Sequence, residues 1–149
     1  MKDQAGGLAP GPLAGIRVLD FSMFLAGPYC TRLMADMGAE IIKVEPPEGD
    51  FLRQAPPLRG GESAYYGHIN CGKKSLKLDM KSDQGREVVR RLIPKVDVVL
   101  ENFRPGVMAR LGLDYDTLSA GRPDLVYCSI SGYGQIGPGA QMAAFAPII

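Results

Sequence analysis

Four stretches of this 149-residue sequence gather residue types able to hold an anionic, nucleotide-like ligand. In Phe21-Ser22-Met23-Phe24-Leu25-Ala26-Gly27-Pro28, the small Ala26 and Gly27 let a ligand approach backbone N–H groups. A helix amino terminus behind them would add partial positive charge suited to a phosphate or carboxylate. Any strand-to-helix turn can require a small residue too, so this stretch alone divides evenly between the two readings. Two groups of cations follow, Lys73-Lys74 with Lys77 and Lys81, and Arg104 with Arg110 in FRPGVMARLG. Cations near a helix entrance suit phosphates, although such runs are more often a solvated face. Asn102-Phe103 offers an amide and an aromatic ring that would either bind and stack a purine or form a turn. Glu45 sits where an acid would hold a ribose; the commoner fate of such a residue is a solvated strand-end carboxylate.

Other chemistries find less support. The dinucleotide pattern GxGxxG is absent, which counts against NAD. Ser129-Ile130-Ser131-Gly132-Tyr133-Gly134 offers hydroxyls and pliable backbone but is not a nucleophile elbow, and the single histidine, His68, gives a serine triad little prospect. His68 reads as a loop or core residue. Met23, Met34 and Met37 read as core filling. Asp79 and Asp97 fall in strands without a second carboxylate beside them. Cys30, Cys71 and Cys128 are odd in number and widely spaced, as expected of thiols in a reducing cytoplasm and not of a disulfide framework or zinc site.

The elements that must position these residues alternate. Ile16–Phe21 predicts a first strand, and Tyr29–Met37 a helix begun by Pro28, with Cys30, Leu33, Met34 and Met37 as its apolar face and Gly38 as its stop. Glu40–Glu45 predicts strand two, followed by a long proline- and glycine-rich loop over 46–62, of the kind that is often functional. Ser75–Asp79 predicts strand three; Ser82 caps a helix with Val88, Val89, Leu92 and Ile93 on one face, ended by Pro94. Val96–Leu100 and Leu125–Ile130 predict the last two strands. The fold class is therefore α/β, a Rossmann-like parallel sheet with flanking helices and right-handed crossovers. Ligands bind beyond the carboxyl ends of such strands, which selects Phe21–Gly27, Glu45–Asp50, Glu101–Gly106 and Ser131–Gly134.

Apolar residues at 46%, charged residues at 22% and a net charge of +1 describe an ordinary globular domain, with no bulk attraction for nucleic acid or an anionic membrane. No apolar run approaches a membrane span, and the expected location is cytoplasmic. Residues 1–12 read as a flexible lead-in and 13–149 as one domain portion. The apolar ending Ala143-Ala144-Phe145-Ala146-Pro147-Ile148-Ile149 suggests a sequence cut inside a larger fold.

Four blocks, LAGIRVLDFSMFLAGPYCTRLMADMGAEIIKVEPPEGD, NCGKKSLKLDMK, VVLENFRPGVMARLGLDY and PDLVYCSISGYGQIGP, resemble in order and spacing the family III CoA-transferases, the CaiB/BaiF group. The resemblance runs from about Pro12 to Pro138 and identifies the chain as the amino-terminal part of such a protein. It implies a large Rossmann-like domain, a smaller second domain, and two chains interlocked as a homodimer. It implies that CoA moves from an acyl-CoA to a small carboxylic acid through an aspartate that forms a mixed anhydride and then an aspartyl-CoA thioester. In relatives that aspartate lies beyond the position of Ile149, so no catalytic residue is expected here and the chain alone should be inactive. No tightly bound cofactor is implied; coenzyme A and acyl-CoA are substrates.

Carried over by position, the CoA-binding residues are Leu25 and Ala26 in the turn, Leu78 through Lys81 with Lys81 on a phosphate, Asn102 with Phe103, and Arg110. Some members carry glutamine at Leu25 and arginine at Pro46, so those two contacts should differ here. The related α-methylacyl-CoA racemases use a histidine–aspartate pair where this sequence has Phe145 and Ala146, which favours transfer over racemisation. A racemase-type epimerase and a non-catalytic nucleotide-binding remnant are the alternatives.

Overall fold

The computed structural model describes residues 11–144. Its centre is a five-stranded, wholly parallel sheet formed by β1 (Arg17–Asp20), β2 (Glu40–Glu45), β5 (Lys73–Lys77), β6 (Val98–Glu101) and β7 (Val126–Ser129). The spatial order is β5-β2-β1-β6-β7. Counted within the sheet alone this is 3-2-1-4-5, the Rossmann order, and the chain reverses its direction of travel between β1 and β6. Neighbouring strands are held in register by pairs such as Asp20 with Lys43 and Lys43 with Ser75.

Alternation along the central strands sends side chains into two cores. Leu19, Val44 and Val99 join Val89, Ile93, Leu113 and Leu118 on one face. Val18, Ile41 and Leu100 pack on the other face against Cys30 and Met34 of helix α1 (Ala26–Asp36). A parallel sheet buried on both sides needs this near-continuous apolar character.

The sequence-predicted elements are present, with shifts that have physical causes. Helix α1 begins at Ala26 and ends before Gly38, whose φ of 99° suits glycine. Its inward face is Gly27, Pro28 and Thr31, while Leu33 and Met37 lie on the outside at 45% and 40% exposure. The backbone of α1 approaches the sheet closely at Gly27, where a Cβ would stand 2.2 Å from Ser22 Cβ and 3.2 Å from Leu100 Cδ2. Strand β5 begins two residues earlier than the predicted strand three because Lys73 pairs with Ile41. Asp79 leaves the strand, and its Oδ1 accepts from Lys81 N–H.

Ser82 Oγ accepts from Gly85 N–H and caps helix α3 (Asp83–Leu92), in which Val89 is fully buried and Val88 is exposed. The loop over 46–62 holds a 3₁₀ turn (Phe51–Gln54) and the small antiparallel pair β3 (Leu58–Arg59) and β4 (Glu62–Ser63). A helix not anticipated in the sequence, α2 (Ala64–Asn70), follows, capped by Ser63 Oγ accepting from Tyr66 N–H. Two short helices, α4 (Val107–Arg110) and α5 (Tyr115–Ser119), connect β6 to β7. Of the predicted lead-in, Gly11 and Pro12 are described: the Gly11 backbone lies so close to Met37 that a Cβ would stand 2.2 Å from its carbonyl oxygen.

Candidate functional site

The chain reverses between β1 and β6, and doubly wound folds bind ligands in the crevice beyond the carboxyl edge at such a reversal. The turn from β1 to α1 forms one wall, and Asn102 closes the far side. Asn102 Oδ1 accepts from Met23 N–H at 2.8 Å, and Asn102 Nδ2 donates to Met23 O at 2.7 Å. This amide therefore fastens the end of β6 to the turn. Gly27 is packed against Ser22, where an added Cβ would meet Ser22 Cβ at 2.2 Å. The residue type follows from that contact and not from general turn propensity.

Beneath the turn lies an assembly of buried charges. Asp20, 0% exposed, accepts from Ser22 N–H at 2.9 Å, from the Ser22 hydroxyl, and from Thr31 Oγ1 at 2.6 Å. Lys73 Nζ lies 3.1 Å from Asp20 Oδ2 and donates to Pro28 O at 2.7 Å and Asn70 Oδ1 at 2.9 Å. Lys43 Nζ lies 3.0 Å from Asp50 Oδ2 and donates to Ser22 O at 2.7 Å. Burial pulls the Lys73 ammonium below its ordinary pKa, with Asp20 opposing the shift.

Lys73, grouped with the phosphate-facing cations on sequence, is consumed inside the fold. Lys43 had no sequence signal beyond its place in an apolar strand. Such lysines are read as surface residues because a buried ammonium is costly unless paired.

Glu45 is a hub. Its side chain is fully buried and accepts two hydrogen bonds from Arg53, both at 2.7 Å. It also accepts from Tyr66 at 2.8 Å, Ser75 at 2.7 Å and Asp50 N–H at 2.8 Å. Burial pushes the Glu45 pKa up, but these donors outweigh it and hold the carboxyl far below its ordinary value. Burial and the Glu45 charge together raise the Tyr66 phenol. The two sequence readings of Glu45, ribose acceptor and solvated carboxylate, are both replaced by a structural role, since its oxygens are already engaged.

The residues expected to bind a ligand share the carboxyl edge. Leu25 and Ala26 are exposed where α1 begins, and α1 has neither a side-chain cap nor an acid in its first turn. Its first N–H groups thus meet the crevice without a competing side chain. Leu78 follows β5, its N–H bonded to Glu45 O, and Leu78 and Phe103 each rest partly on the core. Lys81 and Arg110 are exposed. From β5 to β6 is three strand spacings, about 14 Å, so the expected set can be reached together only by an extended ligand.

Ten of the described cations are ion-paired, and Arg59, Lys77, Lys81, Lys95, Arg104 and Arg110 are not. The ten are Arg17, Arg32, Lys43, Arg53, Lys73, Lys74, Arg86, Arg90, Arg91 and Arg122. Of the six without a carboxylate partner among the described residues, Lys77 ends β5, Lys81 follows it, and Arg104 and Arg110 follow β6, whereas Arg59 lies in β3 and Lys95 at the opposite edge. A cleft of about 220 Å³ beside Arg104 and Gly106 reaches Glu101, Asp114 and Asp116, and these acids make its floor a poor phosphate cradle. A wider concavity of about 530 Å³, lined by Arg17, Lys95, Asp97 and Arg122, lies at the opposite edge of the sheet, away from this crevice.

Other sequence candidates stay outside the site. His68 is exposed on α2, and its carbonyl accepts from Arg32. Asp97 Oδ2 accepts from Arg17 N–H ahead of β6. The three cysteines are free thiols, and among the described residues no cluster of His, Cys, Asp or Glu could hold a metal. No helix among the described residues is long and apolar enough to cross a membrane. Phe145 and Ala146, which bear on racemisation, lie outside the described residues.

Comparison with known proteins agrees with this architecture. The model of the CoA-transferase family III matches residues 13–149. A succinyl-CoA:mesaconate CoA-transferase from Haloarcula hispanica is 49% identical over 129 residues, covering 83% of this chain and 33% of the relative. A succinate–glutarate CoA-transferase from Agrobacterium fabrum is 46% identical over 146 residues, covering 93% of this chain and 36% of the relative. Among solved structures, a CaiB/BaiF family protein from Brucella suis superposes with a TM-score of 0.88 at 42% identity, covering 94% of this chain and 38% of that one. The chain spans about a third of the length of the curated relatives it matches. It belongs to the CoA-transferase family III.

Proposed function

We propose that this chain is the amino-terminal, CoA-binding portion of an enzyme that moves CoA from an acyl-CoA to a small carboxylic acid. The observation that carries the reading is that four of the six unpaired cations, Lys77, Lys81, Arg104 and Arg110, come at or after the carboxyl ends of β5 and β6, in a sheet whose switch point holds an uncapped helix start. Such an edge suits an extended ligand with phosphates at one end and an uncharged arm at the other. In this reading Leu25 and Ala26 line the arm, Lys81 and Arg110 meet phosphates, Leu78 and Phe103 give apolar contact, and Asn102 holds the turn against the ligand. Residues 13–149 form one domain portion. The parent protein is an interlocked homodimer of the cytoplasm, where reducing conditions suit three free thiols.

The chemistry needs a carboxylate nucleophile, which relatives carry beyond the segment matched here. An aspartate attacks the thioester carbonyl, the C–S bond breaks and CoA leaves as thiolate, giving a mixed anhydride. The thiolate then attacks the aspartyl carbonyl and expels the donor acid as its carboxylate, leaving aspartyl-CoA. The acceptor acid repeats both steps in reverse and restores the aspartate. What this chain supplies is binding and orientation of CoA, and alone it is inactive.

Titration calorimetry of the 149-residue chain with CoA tests the assignment, set against a Lys81→Ala/Arg110→Ala variant. Binding that weakens at least about tenfold in the variant supports the site. Equal heats would remove both residues from it.

A further inference from the structure

Lys43 and Lys73 reach the β1–α1 turn from two different strands and take hold of its two ends. Lys43 Nζ donates to Ser22 O at 2.7 Å, and Lys73 Nζ donates to Pro28 O at 2.7 Å. Both ammonium side chains are almost wholly buried, at 1% and 2% exposure. Each is balanced by one buried carboxylate, Asp50 for Lys43 and Asp20 for Lys73.

Stability alone is a weak account of this arrangement. Moving an ion pair out of water costs several kcal/mol per ion, and apolar residues of similar volume commonly replace such pairs without loss. What an apolar pair cannot do is bind a carbonyl oxygen. The Ser22–Met23 peptide unit is held at both atoms, its oxygen by Lys43 and its N–H by Asn102 Oδ1. The Pro28–Tyr29 unit is held likewise, its oxygen by Lys73 and its N–H by Leu25 O. Between these fixed planes lie only Phe24 to Gly27. Their orientation decides whether the first N–H groups of α1 face the crevice.

We propose that Lys43 and Lys73 are positioning residues, which clamp the carbonyl oxygens of Ser22 and Pro28 and thereby set the ligand-facing N–H groups of Leu25 to Gly27. The proposal rests on the CoA-binding reading for its ligand, but the clamp itself is a property of the free chain.

The test uses the 149-residue chain with Lys43→Met and with Lys43→Met/Asp50→Asn. The single variant leaves Asp50 buried without its cation and should lower the melting temperature. The double variant removes both charges while an amide oxygen still accepts from Leu52 N–H as Asp50 does, so thermal stability should largely return. If Lys43 positions the turn, the amide resonances of Phe24 to Gly27 broaden in the double variant despite that recovery. CoA affinity then stays reduced by about tenfold, the order expected for losing one charge-assisted hydrogen bond. Recovery of stability, turn resonances and CoA affinity together would overturn the proposal and leave the CoA reading standing. If the unaltered chain binds no CoA, that reading fails. The turn resonances alone then decide the clamp, with broadening supporting it and an unchanged spectrum refuting it.

Discussion

Replacing Glu45 by glutamine removes one charge with almost no change of shape, and the structure fixes what must follow. Glu45 Oε1 accepts from Arg53, Tyr66 and Ser75, and Oε2 accepts from Arg53 and the Asp50 N–H. An amide has one acceptor oxygen, so its NH₂ must face one of these donor sets. The hydroxyls of Tyr66 and Ser75 can rotate; the Arg53 guanidinium and the Asp50 amide cannot. The least damaging orientation therefore forfeits at least one charge-assisted bond and one further bond. At roughly 1.5–3 and 0.5–1.5 kcal/mol respectively, the expected loss is about 2–4.5 kcal/mol. Arg53 is 38% exposed and recovers some hydration, which favours the lower half of that range.

Urea unfolding of the two chains at neutral pH measures this loss. Acid provides a second reading. The folded-state pKa of Glu45 is depressed, so its contribution is complete above the ordinary carboxylate value, is lost as pH falls toward the folded one, and does not fade on the alkaline side. The gap between wild type and Glu45→Gln should be constant from pH 6 to pH 8 and narrow in strong acid. A gap below about 0.5 kcal/mol at neutral pH, the size of an ordinary surface change, would refute the claim that the charged hub holds the 46–62 loop to β2.

Gly27→Ala should destabilise the chain by about 1–3 kcal/mol through overpacking, because its Cβ would meet Ser22 Cβ at 2.2 Å and Ser22 Oγ at 2.5 Å. Thermal unfolding checks this, and a variant as stable as wild type would mean that the turn can relax away from α1. CoA affinity should fall as salt rises, since exposed charges are screened over about 10 Å at 0.1 M. The Lys81→Ala/Arg110→Ala variant should show a shallower salt slope, and parallel slopes would place the phosphates elsewhere.

Much of the frame was legible because its signals are local. Val18-Leu19 and Val98-Val99-Leu100 read as strands from apolar, β-branched runs, and Ser82 reads as a cap from residue type and position. The turn at 21–28 and the cations beyond it were visible as candidates. The apolar spacing at Cys30, Leu33, Met34 and Met37 is half right: Cys30 and Met34 pack against the sheet, while Leu33 and Met37 lie outside. The most deeply buried line of contact runs through Gly27 and Thr31, small or polar residues that a search for apolar periodicity passes over. Helix α2 was missed because it is seven residues long, contains Gly67, and owes its start to a single serine cap.

The buried ions were illegible for a different reason. Lys73 meets Asp20 from 53 positions away, and Ser75 meets Glu45 from 30. A charged residue in a strand gives no local sign that its partner will arrive from another strand, and surface exposure is then the sound expectation. Within one short segment, Lys73 is sealed inside while Lys77 and Lys81 stand free at the rim. Sequence groups all three as one cationic cluster; the fold separates them into one buried, paired ammonium and two exposed ones.

That separation governs the electrostatics of the edge. Asp20 with Lys73, Lys43 with Asp50, and Glu45 with Arg53 are each neutral as pairs, so they shape backbone without projecting net charge. The exposed cations and the uncapped start of α1 contribute positive potential at this edge, opposed beside Arg104 by Glu101, Asp114 and Asp116. In the proposed reading Lys43 and Lys73 hold the turn in place, and the exposed cations attract the ligand toward it. A lysine moved from one set to the other would do neither task, because the first requires desolvation and a fixed carbonyl partner and the second requires an unpaired charge in reach of solvent.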